Sequence, residues 1–379
     1  MGKIKKVGYE LCDINVVQSP YSEIDSRSEC STKIQMCGRD VYPVVVAPMA
    51  AVTDENNYRV WLGNGFICVV PRTVSLEKRL EICKETFCSF SLDEAESLLV
   101  DSYVERFSND VFYVCVDIAQ GTMKRMYQMC AKLKHKYENI VVMAGNVANP
   151  EAYKYYAEAG IDYMRLCVGD GSRCTTASNV SIHYPVATLI DEIVSNKCYW
   201  EAVHGKSGTE IIVDGGLDNF DDIQKCLALG AFAVMNGSFF AKTEEACGEV
   251  RYLLNDDDSF EEGMKKEDYD KYHPLIFNTE TIKKIPVYEL DTVCQGKPYR
   301  EYYGMSTRRA QNECGNVCSK TSEGIVKPVQ VMYPIAKWAD NMASFLASAM
   351  SYTNCSTIEE FRQKTEVIVD LSGDKSFRK

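Results

Sequence analysis

The chain has 379 residues, 46% of them hydrophobic and 25% charged, which is enough to bury a full core in one large domain. A net charge of −12 argues against nucleic acid or an anionic membrane surface as a general partner and leaves small molecules and other subunits. Seventeen cysteines would suit a disulfide scaffold only in a short secreted chain. The opening MGKIKKVGYELCDINV lacks the apolar core of a signal peptide, so the thiols are expected to be reduced in a cytoplasmic protein.

In chain order, short apolar runs stand at Pro43 to Ala47, Phe66 to Val70, Phe112 to Val116, Ile140 to Ala144, Tyr163 to Val168, Glu210 to Val213 and Phe232 to Met235, with an eighth around Glu85 to Ser91. Near-continuous apolar strands are buried on both faces, the pattern of a parallel sheet. Helical stretches lie between them at Thr122 to Lys136, Pro150 to Ala159, Pro185 to Ser195 and Asp218 to Leu229. Eight strand-then-helix repeats, with no G-x-G-x-x-G after the first strand, predict an α/β fold of the TIM (β/α)8 barrel type in a single domain over 1–379.

The repeat stops after about Arg251. Asn255-Asp256-Asp257-Asp258 opens an acidic, Lys-rich stretch to about Gly296, in which Tyr288 to Leu290 reads as a strand. Residues 252–296 are therefore expected to be an insertion or lid in the last strand-to-helix connection, and 297–330 an active-site flap. With four histidines and neither paired Cys-x-x-Cys nor His-Glu-x-x-His, a zinc site has no support.

Active sites of such barrels form at the carboxyl ends of the strands. Those ends carry Pro48-Met49, Arg72, Asp117, Gly145-Asn146, Gly169-Asp170-Gly171-Ser172-Arg173-Cys174-Thr175-Thr176, Asp214-Gly215-Gly216 and Asn236-Gly237-Ser238. Gly171-Ser172 and Gly237-Ser238 offer backbone amides and hydroxyls for a phosphate monoester, and Asp214 an acceptor for a ribose diol, which together suggest a nucleoside monophosphate. Cys174 is a soft nucleophile whose attack on an electron-poor ring carbon gives an adduct able to lose or gain hydride. Thr176, backed by Glu323, would carry a proton to or from a leaving group. For each of these residues the plain alternative is a turn or a packed side chain.

These motifs, with Val213-Asp214-Gly215-Gly216, Val234-Met235-Asn236-Gly237-Ser238, Tyr303-Gly304-Met305-Ser306, Ser322-Glu323-Gly324, Ser26-Arg27-Ser28-Glu29 and Met143-Ala144-Gly145-Asn146-Val147, resemble the IMP dehydrogenase and GMP reductase family over nearly the whole chain. The resemblance implies Cys174 as a thioimidate-forming nucleophile, with Thr176 and Glu323 as its catalytic partners. It implies Ser172, Gly216, Gly237, Ser238, Tyr302 and Gly304 around phosphate and ribose, Asp214 on the ribose hydroxyls, and Met305, Ser306, Lys320 and Gly324 along the rest of the nucleotide. Asp117, Asn146 and Gly169 would face a nicotinamide cofactor, and Gly169, Gly171 and Cys174 a monovalent cation such as K+. Members are commonly homotetramers.

Within the resemblance, no pair of regulatory CBS modules interrupts Leu80 to Asp110, and the segment from Gly304 to Glu323 is short and lacks an Arg-Tyr pair. Both features imply a GMP reductase using NADPH to turn GMP into IMP and ammonia. The alternative is a CBS-less IMP dehydrogenase that oxidises IMP with NAD and draws its water-activating base from Arg308 or Arg309. A non-catalytic nucleotide-binding protein is a third reading. The chain departs from the family pattern at Ala50, Cys167, Asp170, Arg173, Ala177, His183 and Lys320. The charged Asp170 and Arg173 bear on the cation site and on cofactor choice.

Overall fold

The computed structural model describes residues 6–100, 110–169, 179–253, 297–314 and 324–370. Among the described residues the strands run in chain order as β1 Ile14–Val16, β2 Ile34–Met36, β3 Arg39–Val41, β4 Val44–Val46, β5 Val69–Val70, β6 Phe87–Phe90, β7 Phe112–Asp117, β8 Ile140–Val147, β9 Tyr163–Leu166, β10 Glu210–Asp214, β11 Ala233–Asn236, β12 Val250–Leu253, β13 Lys297–Tyr303, β14 Val326–Gln330 and β15 Val367–Val369. Eight of them form one all-parallel sheet in the order β4, β11, β10, β9, β8, β7, β6, β5. The seam between its two ends is closed by a parallel bridge from Val46 to Cys68, with the Val46 amide on the Ile67 carbonyl at 2.8 Å. The predicted (β/α)8 barrel is thus present, and its eighth strand is β6.

The strands obey the physical rule that predicted them. Val44, Val45, Val46, Val114, Val116, Met143, Ile212 and Val234 are at most 1% exposed, because barrel strands face packed side chains inside and helices outside. Two of the connecting helices begin at polar caps: the Ser75 hydroxyl accepts from Lys78 N–H, and Ser91 and Glu94 form a capping box. The helix expected over 185–195 continues to His204 and ends on Gly205 at φ 64°. Its second half keeps helical backbone while Tyr199 and Val203 point to solvent, so the apolar period fades before the helix does.

Three features lay outside the sequence reading. The β2–β3 hairpin turns through Cys37 and Gly38, both at positive φ, and sets Cys37 beside Tyr113 and Tyr163 at the beginnings of β7 and β9. It therefore plugs the amino end of the barrel, and burial there raises the Cys37 thiol pKa. β1 and β15 pair antiparallel, with Asp370 N–H on the Asp13 carbonyl at 2.7 Å. β12, β13 and β14 form an antiparallel sheet at the carboxyl end, so residues 297–303 and 326–330 are paired strands within the span expected to be a flap. Tyr288 to Leu290 lies outside the described residues. Among the described residues no helix is long and apolar enough to cross a membrane.

Behind β4 and β11, Phe66, Phe240, Phe239, Phe220 and Trp338 pack ring against ring at centroid distances of 5.2 to 6.4 Å. Phe66 is fully buried beside the closing seam. Phe66→Ala is expected to cost about 3–5 kcal/mol of unfolding free energy, measured by urea denaturation.

Candidate active site

At the carboxyl end of the barrel Arg165 enters from β9 as a buried charge, its side chain 5% exposed. Its Nη1 donates to Asp117 Oδ1 at 2.7 Å, and its Nη2 and Nε donate to Asp214 Oδ2 at 2.6 and 3.2 Å. The two carboxylates come from the last residues of β7 and β10 and are 13% and 14% exposed. Asn146, on β8, adds its Nδ2 to Asp214 Oδ2 at 2.8 Å and to the Cys167 carbonyl at 3.1 Å. Burial works to lower the Arg165 pKa, but Asp214 and Asp117 outweigh it and hold the guanidinium charged. Cys115, from which burial removes acidity, accepts from Arg165 Nη1 at 3.4 Å as a neutral thiol with a pKa raised to about 12.

Of three residues expected at ligands, Asp117 and Asp214 thus share one buried guanidinium, and Asn146 joins them through Asp214. The sequence reading passed over Arg165, although a lone arginine between Met164 and Leu166 in an apolar strand was the signal that a barrel interior held paired carboxylates.

The opposite side of the mouth is built around Gly237. A Cβ there would strike Met49 Sδ and stand 2.5 Å from Tyr302 Oη, so only glycine lets the loops after β4 and β11 meet β13. Asn236 is buried and fixes this turn: its Oδ1 accepts from Phe239 N–H at 2.7 Å and from the Ser238 hydroxyl at 3.2 Å. Its Nδ2 donates to the Leu217 carbonyl at 2.9 Å, tying the turn to Gly215 and Gly216, which sit at φ 107° and 72°. Gly324 lies against Ser306, where a Cβ would come within 2.7 Å of Oγ. Gly216, Gly237, Ser238, Tyr302, Gly304, Met305, Ser306 and Gly324 therefore belong to the loops of this rim.

Gly169, at φ 90°, follows Cys167, itself at φ 79° and 2% exposed. A left-handed backbone at Cys167 is a conformation that glycine adopts with less strain than cysteine. Gly171, Ser172, Cys174, Thr176, Lys320 and Glu323 lie outside the described residues. Among the described residues no group of three His, Cys, Asp or Glu could hold a metal ion.

Two arginines flank β6. Arg79, 2% exposed, donates to Glu94 at 2.5 and 3.2 Å and to the Ser89 carbonyl at 2.5 Å. Arg72 acts on Glu94 and on Cys314 through its charge, and its buried Nε has no hydrogen-bond partner. Burial alone would raise the Glu94 pKa, but Arg79 and the Ser91 amide hold it below the ordinary value. Arg309 is paired with Glu301 and with Glu313 at 3.2 Å, its guanidinium 4.6 Å from the Tyr303 ring centroid. Partial burial would lower its pKa, yet Tyr303, Glu301 and Glu313 raise it.

A family model described as "IMP dehydrogenase / GMP reductase domain" matches residues 13–265. The chain belongs to that family. It is 31% identical over 269 residues to an inosine-5'-monophosphate dehydrogenase of Chlorobaculum parvum, covering 71% of this chain and 47% of that protein, so it spans about half the length of that relative. It is 27% identical over 369 residues to a GMP reductase of Shouchella clausii and 28% over 371 residues to one of Bacillus subtilis, in both cases covering 93% of this chain and 94% of the relative.

Replacing Arg165 by Met leaves two buried carboxylates without a counter-charge. It is expected to destabilise the fold by about 3–5 kcal/mol in chemical denaturation, with part of the loss recovered when Asp214→Asn is added. Glu94 stabilises the folded state fully above about pH 4.5 and ceases to do so as pH falls through its depressed folded pKa. Glu94→Gln should flatten the acid limb of the stability curve below that pH, as read by thermal melting.

Proposed function

We propose that this chain is a GMP reductase, converting GMP and NADPH to IMP, ammonia and NADP+. The observation that carries the reading is coverage: relatives named GMP reductase align with this chain along almost their entire length, whereas the dehydrogenase relative has as much again outside the match. The engagement of Arg309 supports it further. A base that activates water must give up its proton, and an arginine whose two acidic partners raise its pKa is a poor base.

The phosphate of the nucleotide is assigned to the Gly237-Ser238 turn and the Ser172 loop, and the ribose to Asp214. Arg165 and Asn146 hold the Asp214 carboxylate through Oδ2, so that it meets a diol in one orientation. Cys174 Sγ bonds to C2 of the purine, and the C2–N bond of the amino group breaks. Thr176, with Glu323 behind it, delivers the proton with which ammonia departs. Asp117, Asn146 and Gly169 would hold a nicotinamide dinucleotide, Asp117 offering a carboxylate 13% exposed and fixed by Arg165. When bound, NADPH supplies the hydride that C2 receives. With that hydride delivered, Cys174 would be the group released from C2, as thiolate.

The second reading, an IMP dehydrogenase without CBS modules, is favoured by the higher identity to the Chlorobaculum protein over its shared segment. The two are separated by following the near-ultraviolet absorbance of reduced nicotinamide with GMP plus NADPH and with IMP plus NAD. We expect loss of absorbance in the first and no gain in the second, with Cys174→Ala lowering kcat at least ~10^3-fold. A gain with IMP and NAD alone would overturn the proposal in favour of the dehydrogenase. Nucleotide binding without turnover in either mixture would identify a binding protein.

A further inference from the structure

Among the described residues Arg300 is a buried cation on the rim that pairs with no carboxylate at ion-pair distance. Arg300, in the middle of β13, is 1% exposed. Its Nε donates to the Gly248 carbonyl at 2.8 Å, and its Nη1 donates to the carbonyls of Ala241 at 2.8 Å and Thr243 at 2.7 Å. Its Nη2 is buried with no partner. A Cβ on Gly248 would stand 2.7 Å from Arg300 Cδ, so the guanidinium stem runs directly over that glycine. Ala241 ends the single turn Ser238–Ala241 that follows Gly237.

Strand geometry gives this contact a direction. Arg300 and Tyr302 are two residues apart and share one face of β13, separated by about 6.6 Å along the strand. The turn from Gly237 to Ala241 advances about 6 Å. Tyr302 meets Gly237 at the beginning of that turn, and Arg300 meets Ala241 and Thr243 at its end. β13 therefore grips the turn at both ends, and its next residues are Gly304, Met305 and Ser306.

We propose that Arg300 is a positioning residue for the nucleotide's phosphate, clamping the Gly237–Thr243 segment onto β13 and leaving a buried positive charge beside that segment which an incoming phosphate offsets. The inference rests on the assignment of phosphate to Gly237-Ser238. Nothing in the hydrogen bonding of the protein alone accounts for a cation here: three carbonyls would be satisfied by neutral donors, and a buried guanidinium with one orphaned nitrogen is costly. Desolvation lowers the Arg300 pKa to about 10, with Cys247 and Glu245 opposing it, so the group remains charged at neutral pH. Glu245 is occupied elsewhere, accepting from Ile335 N–H at 3.0 and 3.1 Å.

The test uses the full chain carrying Arg300→Met or Arg300→Lys. Steady-state kinetics with GMP and NADPH and equilibrium dialysis with GMP, IMP and guanosine are measured in parallel. For Arg300→Met we expect a rise of ~10- to 100-fold in GMP KM and Kd, kcat within about threefold, and unchanged NADPH KM and guanosine affinity. Arg300→Lys, which keeps the charge and fewer of the hydrogen bonds, should fall between. If Arg300→Met does not fold, Arg300→Lys decides, with a rise in GMP KM of about threefold or more supporting the role and an unchanged value overturning it. Equal GMP affinity in wild type and Arg300→Met, or equal weakening toward GMP and guanosine, overturns the inference while leaving the reductase reading in place. Failure of the wild-type chain to bind either nucleotide defeats the phosphate assignment and the inference with it.

Discussion

The mouth of this barrel depends on one ion-pair cluster, the buried Arg165 guanidinium held between Asp117 and Asp214. Three strands that are not all adjacent end on these side chains. Two carboxylates in a protein interior repel one another and would each prefer to take a proton; a guanidinium between them lets both stay ionised and fixes their separation. Asn146 then limits Asp214 to one orientation. Polar chemistry at the top of the barrel is thus built on a cation that contributes through the residues it holds.

The opposite side of the rim solves a different problem, that of bringing backbone close to a ligand. Gly237 has room for no side chain between Met49 and Tyr302, and Asn236 satisfies the amide and hydroxyl groups that follow it. The antiparallel sheet β12–β14 braces this turn from outside the barrel. β12 and β13, which flank residues 254–296 in sequence, are hydrogen-bonded to each other beside this turn.

The barrel was legible because its strands are buried on both faces and therefore read as continuous apolar runs, from Val44-Val45-Val46 to Val234-Met235. The β2–β3 hairpin was not, since three-residue strands such as Arg39–Val41 carry too few positions to show a period. The end of the helix at His204 was missed for a related reason: Tyr199 and Val203 break the apolar stripe without breaking the backbone. Among site residues, glycines and loop polar groups marked the rim well. Arg165 and Arg300 escaped because the meaning of each lies in partners more than 40 residues away along the chain.

The hairpin at Cys37 and Gly38 makes the barrel a vessel with one opening. Cys37 packs against the core at the amino end, near Tyr113 and Tyr163, and barrel interiors of this kind are filled by side chains. Whatever binds above Arg165 enters and departs across the same rim, past the same loops.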